Sequence, residues 1–195
     1  MMSKYKAEII GLLCAEGNYY DKRSSYFEYY KNKQKYYYKT KKRNVYIQFA
    51  NFNLGLLDQF QNLIKLEYNY DVKIHEDRIR ICKRDVINDL ISYSDYGCLK
   101  WEVPSDIMNN NNLAIPFLRG YFEGDGCANK VRFSSSNIKG LIQVKKILDS
   151  LEITNTIQGP WMRLNREPNY ELYIWKNSWN KFFEVIKPVF KTKTL

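Results

Sequence analysis

Two short stretches of this chain share one pattern: Ile9-Ile10-Gly11-Leu12-Leu13-Cys14-Ala15-Glu16-Gly17 and Leu118-Arg119-Gly120-Tyr121-Phe122-Glu123-Gly124-Asp125-Gly126. Each is an apolar helical run with a glycine inside it, and each ends in a carboxylate followed at once by glycine. Glycine in a helix interior costs about 1 kcal/mol against alanine, so it calls for a packing reason. The simplest is that Gly11 and Gly120 let two helix backbones approach closely, one helix from each half of the chain. Such a pairing sets the helix C-termini side by side and brings Glu16 and Asp125 together. A carboxylate there opposes the negative end of the helix dipole, and this chain does so twice. Two carboxylates so placed form a hard oxygen site for a divalent cation, Mg²⁺ first, with Mn²⁺ and Ca²⁺ able to occupy it.

The chain has 195 residues, enough for one ordinary domain or two small ones sharing a core. Its formal net charge of +10 points to an acidic partner, nucleic acid first and an anionic membrane second. No apolar run approaches the roughly 20 residues of a membrane span, and the N-terminus lacks a signal-peptide pattern. Cys14, Cys82, Cys98 and Cys127 have no CxxC spacing and read as reduced packing residues of an intracellular protein.

A helix over 4–16 leads into the most unusual segment, Asn18 to Arg43. It holds nine basic residues, among them Lys22, Arg23, Lys31, Lys33 and Lys35, against Asp21 and Glu28 alone, with eight interleaved tyrosines. Tyrosine favours strands, so the segment reads as a long two-stranded ribbon of a width that fits the DNA major groove. Next, 45–50 alternates with period two: Val45, Ile47 and Phe49 face covering helices, and Tyr46 and Gln48 lie on the open face. A helix over 54–67, short strands near 72–75 and 78–81 and a helix over 85–93 complete the first half. Residues 94–112 connect it to the second and end in four consecutive asparagines that cap or loop. The second half repeats the order as helix 113–125, strand 131–135, helix 138–151, strands near 156–164 and 169–175, and helix 177–187. Only 5 positions separate Gly126 from Val131, against 28 from Gly17 to Val45, so the second half lacks most of the basic ribbon.

The paired segments resemble the two LAGLIDADG motifs of the single-chain homing endonucleases, and the likeness spans essentially the whole chain. It implies an α+β fold of two tandem pseudo-symmetric αββαββα half-domains, 1–97 and 113–195, joined by a linker over 98–112. Their antiparallel sheets would form a DNA-binding saddle. It also implies a monomeric, intron-encoded, site-specific double-strand DNA endonuclease with an asymmetric target. In that picture Glu16 and Asp125 ligate the metal and the carbonyls of Ala15 and Gly124 complete its inner shell. The resembled family carries a basic residue after the last helix of each half; Lys100 and Lys193 fill that place here, with Lys191 as a local competitor. Water-positioning residues are expected where the second strand runs into its helix, at Asn51 or Asn53 and at Ser136. Tyr46, Gln48, Lys73, Arg80, Arg132, Ser134 and Arg163 join the ribbon lysines as candidate DNA contacts.

The chain departs from the family pattern in places. Cys14 stands where the motif often has an acid, while Glu123 keeps it; Ile10 and Arg119 replace a small residue, which should alter helix packing more than chemistry. His75 is the only histidine, so a histidine general base is poorly supported. No Ser-His-Asp set, P-loop or dinucleotide glycine pattern appears. The chief alternative is an RNA-binding intron maturase on the same fold, since tyrosines and lysines suit structured RNA equally well. A DNA-binding regulator that has lost nuclease activity is a third, but it predicts the loss of at least one acid or lysine, and none is missing.

Overall fold

A computed structural model describes residues 1–30, 35–162 and 164–192, with the side chains of 23–42 also left out. The expected ribbon contacts of Arg23, Lys31, Lys33 and Lys35, and those of Arg163 and Lys193, therefore lie outside the described residues or side chains. The first half runs α1 (Lys4–Glu16), β1 (Gly17–Tyr30), β2 (Lys35–Ala50), α2 (Leu54–Tyr68), β3 (Ile74–His75), β4 (Arg78–Ile81) and α3 (Arg84–Ile91). After a one-turn helix α4 (Ser105–Met108), the second half runs α5 (Asn111–Asp125), β5 (Gly126–Cys127), β6 (Arg132–Ser135) and α6 (Ile138–Ser150). It ends with β7 (Asn155–Trp161), β8 (Asn169–Ile174) and, after a 3₁₀ turn, α7 (Trp179–Ile186).

Each half builds an antiparallel four-stranded sheet with the same strand order, β1-β2-β4-β3 and β5-β6-β8-β7. The order arises because each motif helix hands its chain straight to a strand: Gly17 pairs with Phe49, and Gly126 with Phe133. The period-two pattern sets the faces. Ile47, Phe49, Ile79 and Ile81 are buried under helices in the first half, as are Phe133, Leu172 and Ile174 in the second, leaving the polar members of β2, β4, β6 and β8 on the other face. β2 is one uninterrupted strand from the ribbon into the sheet, so the ribbon and the alternating segment form a single element.

Between the sheets, α1 and α5 cross with almost no space at the glycines. A Cβ on Gly11 would stand 2.1 Å from the Phe117 carbonyl oxygen, and one on Gly120 would stand 2.3 Å from that of Glu8. Each glycine thus admits the backbone of the opposite helix. Beside the crossing, Arg119 donates to Glu8 at 3.2 Å and to the Ile186 carbonyl at 2.8 Å, while Gln59 donates to the other Glu8 oxygen at 2.5 Å. The arginine at the motif's second position therefore supplies an ion pair between the halves.

The connector is not loose. Trp101 is 1% exposed, a Cβ on Gly140 would lie 2.2 Å from its ring, and its carbonyl accepts from Asn137 at 2.6 Å. Val103 N–H donates to Gln143, so this stretch packs on the second half. Asn110 caps α5, accepting from Asn112 N–H. The cysteines differ from expectation: Cys14 is buried, but Cys82, just past strand β4, and Cys98, in the connector, are exposed and fill no core. Among the described residues no helix is long and apolar enough to cross a membrane.

Replacing Gly11 or Gly120 with alanine forces two backbones apart, so each change should cost about 3 kcal/mol or more. Gly55→Ala, where the new methyl meets the Phe190 ring at 2.7 Å instead of backbone, should cost less. Chemical denaturation of the three variants tests the ranking; equal losses would contradict it.

Candidate active site between the paired helices

The helix crossing fixes what happens one turn later. Glu16 and Asp125 end α1 and α5, both half-buried, and neither helix has a basic residue in its last turn. A Cβ on Gly124 would lie 2.4 Å from Ala15 Cβ and 3.2 Å from Glu16 Cγ, so the two helix ends touch. Glu16, Asp125, Ala15, Cys14, Asn18, Cys98, Ser134, Ser136 and Asn169 line one open pocket of about 340 Å³. Asn51 reaches Glu16 with a long hydrogen bond of 3.3 Å, and its own carbonyl oxygen accepts from Asn53 N–H. Both Asn51 and Ser136 thus stand beside the acids, whereas Asn53 is used to cap α2.

The electrostatics are unfavourable for two anions. Burial pushes the Asp125 carboxyl well above its ordinary value, and the neighbouring Glu16 charge adds to the shift. Burial also raises Glu16, against the opposing pull of Lys191 and the Asn51 hydrogen bond. Lys191 supplies positive charge close by, donating at 2.6 Å to the Gly124 carbonyl. Burial lowers its pKa, while Asp125, Glu123 and Glu16 pull the other way.

Of the expected lysines, Lys193 lies outside the described residues, and Lys100 and Lys191 stand in different surroundings. Lys191, the competitor, reaches the Gly124 carbonyl at the end of α5; Lys100 is exposed, with its stem beside Gly97, which also neighbours Asn18. Lys191 is carried inward by contacts of Glu123 and Phe190 that no periodicity encodes. Cys98, Asn18 and Asn169 were also not anticipated; each comes from a loop or strand start that only the folded chain brings to the pocket.

On the sheets, Arg80 donates to Gln48 at 3.1 Å and lies 5.1 Å over the Tyr46 ring, which stacks on Tyr20 at 4.7 Å. Arg132 donates to Glu171 at 2.9 Å and to the Tyr173 hydroxyl at 2.8 Å. Lys73 is exposed in a groove with Tyr70, His75, Arg78 and Arg80, and Lys22 is exposed on β1. Ser134 instead faces the acidic pocket.

Do these groups suit a divalent ion? No group of three or more His, Cys, Asp or Glu side chains that could hold a metal occurs among the described residues. Side chains alone therefore do not form a cage, and any cation there must take backbone carbonyls or water as further ligands. The donors are all oxygen and the two carboxylates are under-neutralised, though the Lys191 ammonium competes for the Gly124 carbonyl. That set fits a hard cation that keeps part of its water.

Residues 112–187 match the family model described as a LAGLIDADG-like domain. A structure of mesophilic variants of the homing endonuclease I-DmoI is similar, with a TM-score of 0.65 and 18% identity over 95% of this chain and 97% of that one. I-DmoI in complex with DNA and Ca gives 0.63 and 20% identity over 97% and 92%. The N-terminal LAGLIDADG domain of DUF199/WhiA gives 0.55 and 15% identity over 97% and 87%. No curated protein sequence matches the chain.

The raised carboxyls make a pH test. An acid whose folded-state pKa lies above its unfolded value favours the native state while protonated and loses that contribution as pH rises through the folded value. Asp125→Asn should therefore raise the metal-free melting temperature more at pH 8 than at pH 4.5. Mg²⁺ should stabilise the unaltered protein at pH 8 and not the variant. Thermal melts in EDTA and in Mg²⁺ check both; identical shifts at both pH values would refute the assignment.

Proposed function

From a chain that takes up the two-motif LAGLIDADG fold over its whole length, we propose a site-specific double-strand DNA endonuclease that hydrolyses phosphodiesters with a divalent metal. The observation that carries the reading is the meeting of Glu16 and Asp125 at the ends of crossed helices, with an antiparallel sheet on either side. Both terminal acids are kept despite the electrostatic cost. A binding protein for DNA or intron RNA gains nothing from that cost, which is why cleavage ranks above the maturase alternative.

When bound, a divalent cation supplies Lewis acidity toward the phosphate and acidifies the attacking water. Glu16 and Asp125 would hold it, with the Ala15 and Gly124 carbonyls beside them; Mg²⁺ is the expected ion, and Mn²⁺ or Ca²⁺ suits the same oxygen donors. Asn51 and Ser136 would orient water at the two ends of the pocket. Lys191 would place its charge against the pentavalent phosphate, a task for a fixed cation in a partly dehydrated site. Lys100 would meet the backbone of the DNA from the first half, and Lys193, outside the described residues, would do so from the second. Tyr46, Gln48, Arg80, Lys73 and Arg132 would meet bases and phosphates from the sheets, and the ribbon with Lys22, Arg23, Lys31, Lys33 and Lys35 would lengthen the grip on one side only. The protein would act as a monomer because one chain carries both acids.

The test is a plasmid bearing the uninterrupted insertion-site sequence of the protein's own gene, incubated with and without Mg²⁺. One Mg²⁺-dependent double-strand cut, lost by at least about a hundredfold in Glu16→Gln and in Asp125→Asn, is the expected result. Tight binding of this DNA without a cut would overturn the nuclease reading.

A further inference from the structure

Glu123, one residue before Gly124, is 1% exposed and does not face the pocket. One of its oxygens accepts the backbone N–H groups of both Val189 and Phe190, the second at 3.0 Å. Its other oxygen is buried without a partner. The carboxylate thus serves a strap that returns from α7 after Lys187, which caps that helix in the left-handed conformation. Within the strap the Phe190 ring lies over Gly55 of α2, in the opposite half, at a spot where any Cβ would intrude. Lys191 follows at once and donates to the Gly124 carbonyl at 2.6 Å. Three successive residues are therefore held in place, and the last brings an ammonium whose charge is felt by both acids. In the first half buried Cys14 stands where Glu123 would be, and Lys100 stays exposed.

We infer that Glu123 is a positioning residue: by binding the 189–190 backbone it seats Lys191 on the Gly124 carbonyl at the end of α5. What the seated lysine does rests on the cleavage reading above; where it is held does not. A carboxylate suits the task because an ionised acceptor binds two adjacent N–H groups more strongly than a neutral one. Burial keeps water from competing for those bonds.

The experiment uses the full chain with Glu123→Leu, Glu123→Gln, Phe190→Ala and Lys191→Met. The first readout is acylation of Lys191 by an amine-reactive reagent, followed by mass spectrometry with exposed Lys139 as the internal reference. Lys191 should be protected in the unaltered protein and in Glu123→Gln, whose amide oxygen still accepts both bonds, and should lose protection in Glu123→Leu and in Phe190→Ala. The second readout is single-turnover cleavage alongside DNA affinity in Ca²⁺. Glu123→Leu should lose about a hundredfold in rate with affinity little changed, Glu123→Gln should recover most of it, and Glu123→Leu should add nothing on Lys191→Met. Equal acylation of Lys191 in the unaltered protein and Glu123→Leu, or additive rate losses, would overturn the inference. If the unaltered protein cuts no DNA, the cleavage reading fails while the acylation pattern still decides what seats Lys191. If Glu123→Leu does not fold, Glu123→Ala, which removes the same two backbone bonds, carries the same decision.

Discussion

At the crossing of α1 and α5, each glycine accepts a carbonyl of the other helix within the radius where a side chain would sit. The position of nearly everything else follows from this contact. Because Gly17 and Gly126 begin strands without an intervening loop, the helix ends fix the first strand of each sheet. The remaining strands add to that one in the same order on both sides. A helix pair held further apart would separate the acids, displace the sheets relative to one another and open the pocket between them. The Arg119–Glu8 bond reinforces the crossing from the flank, but a half-buried ion pair sets register more than it adds stability.

The contact has an electrostatic cost. It drives two carboxylates together at the negative ends of two dipoles, in a partly dehydrated place. The structure offsets this only in part, with one ammonium and one amide. Stability alone would be served better by an asparagine in place of either acid. Retaining both is intelligible if a cation or a phosphate with its cations completes the charge balance during function.

Much of this could be read from the chain. The two ninemers with their misplaced glycines disclosed the helix pair and the acids at its end, and alternation in 45–50 and 131–135 disclosed the buried and open faces. Element bounds differed by a few residues, as at β3, where Val72 is buried by contact with α2 and only Ile74 and His75 pair in the sheet. The seating of Lys191 was not legible. Three lysines follow final helices, and nothing local separates them; the choice depends on a buried carboxylate some 65 residues away in sequence and on a ring lodged over a glycine of the other half. Trp101 was hidden for the same reason, since a short stretch without clear periodicity gives no sign of the slot beside Gly140. Local pattern specifies elements, and long-range contacts decide which exposed groups become parts of a site.

Pseudo-symmetry also shows where the halves have diverged. Phe49 and Phe133 hold the same place in their sheets, so Gln48 corresponds to Arg132, and their cross-strand partners Arg80 and Tyr173 correspond to each other. One half therefore presents a glutamine with an arginine stacked on tyrosine; the other presents an arginine anchored by a carboxylate and a phenol. A fixed guanidinium favours guanine, whereas a glutamine amide favours adenine. Two such different pairs at equivalent distances from the acids would not read the same base. A ribbon of 14 and 16 residues on one side faces strands of 2 and 4 on the other. A nucleic acid lying across both sheets would thus be held over a longer span by the first half, and a palindrome would leave one set of contacts unmatched.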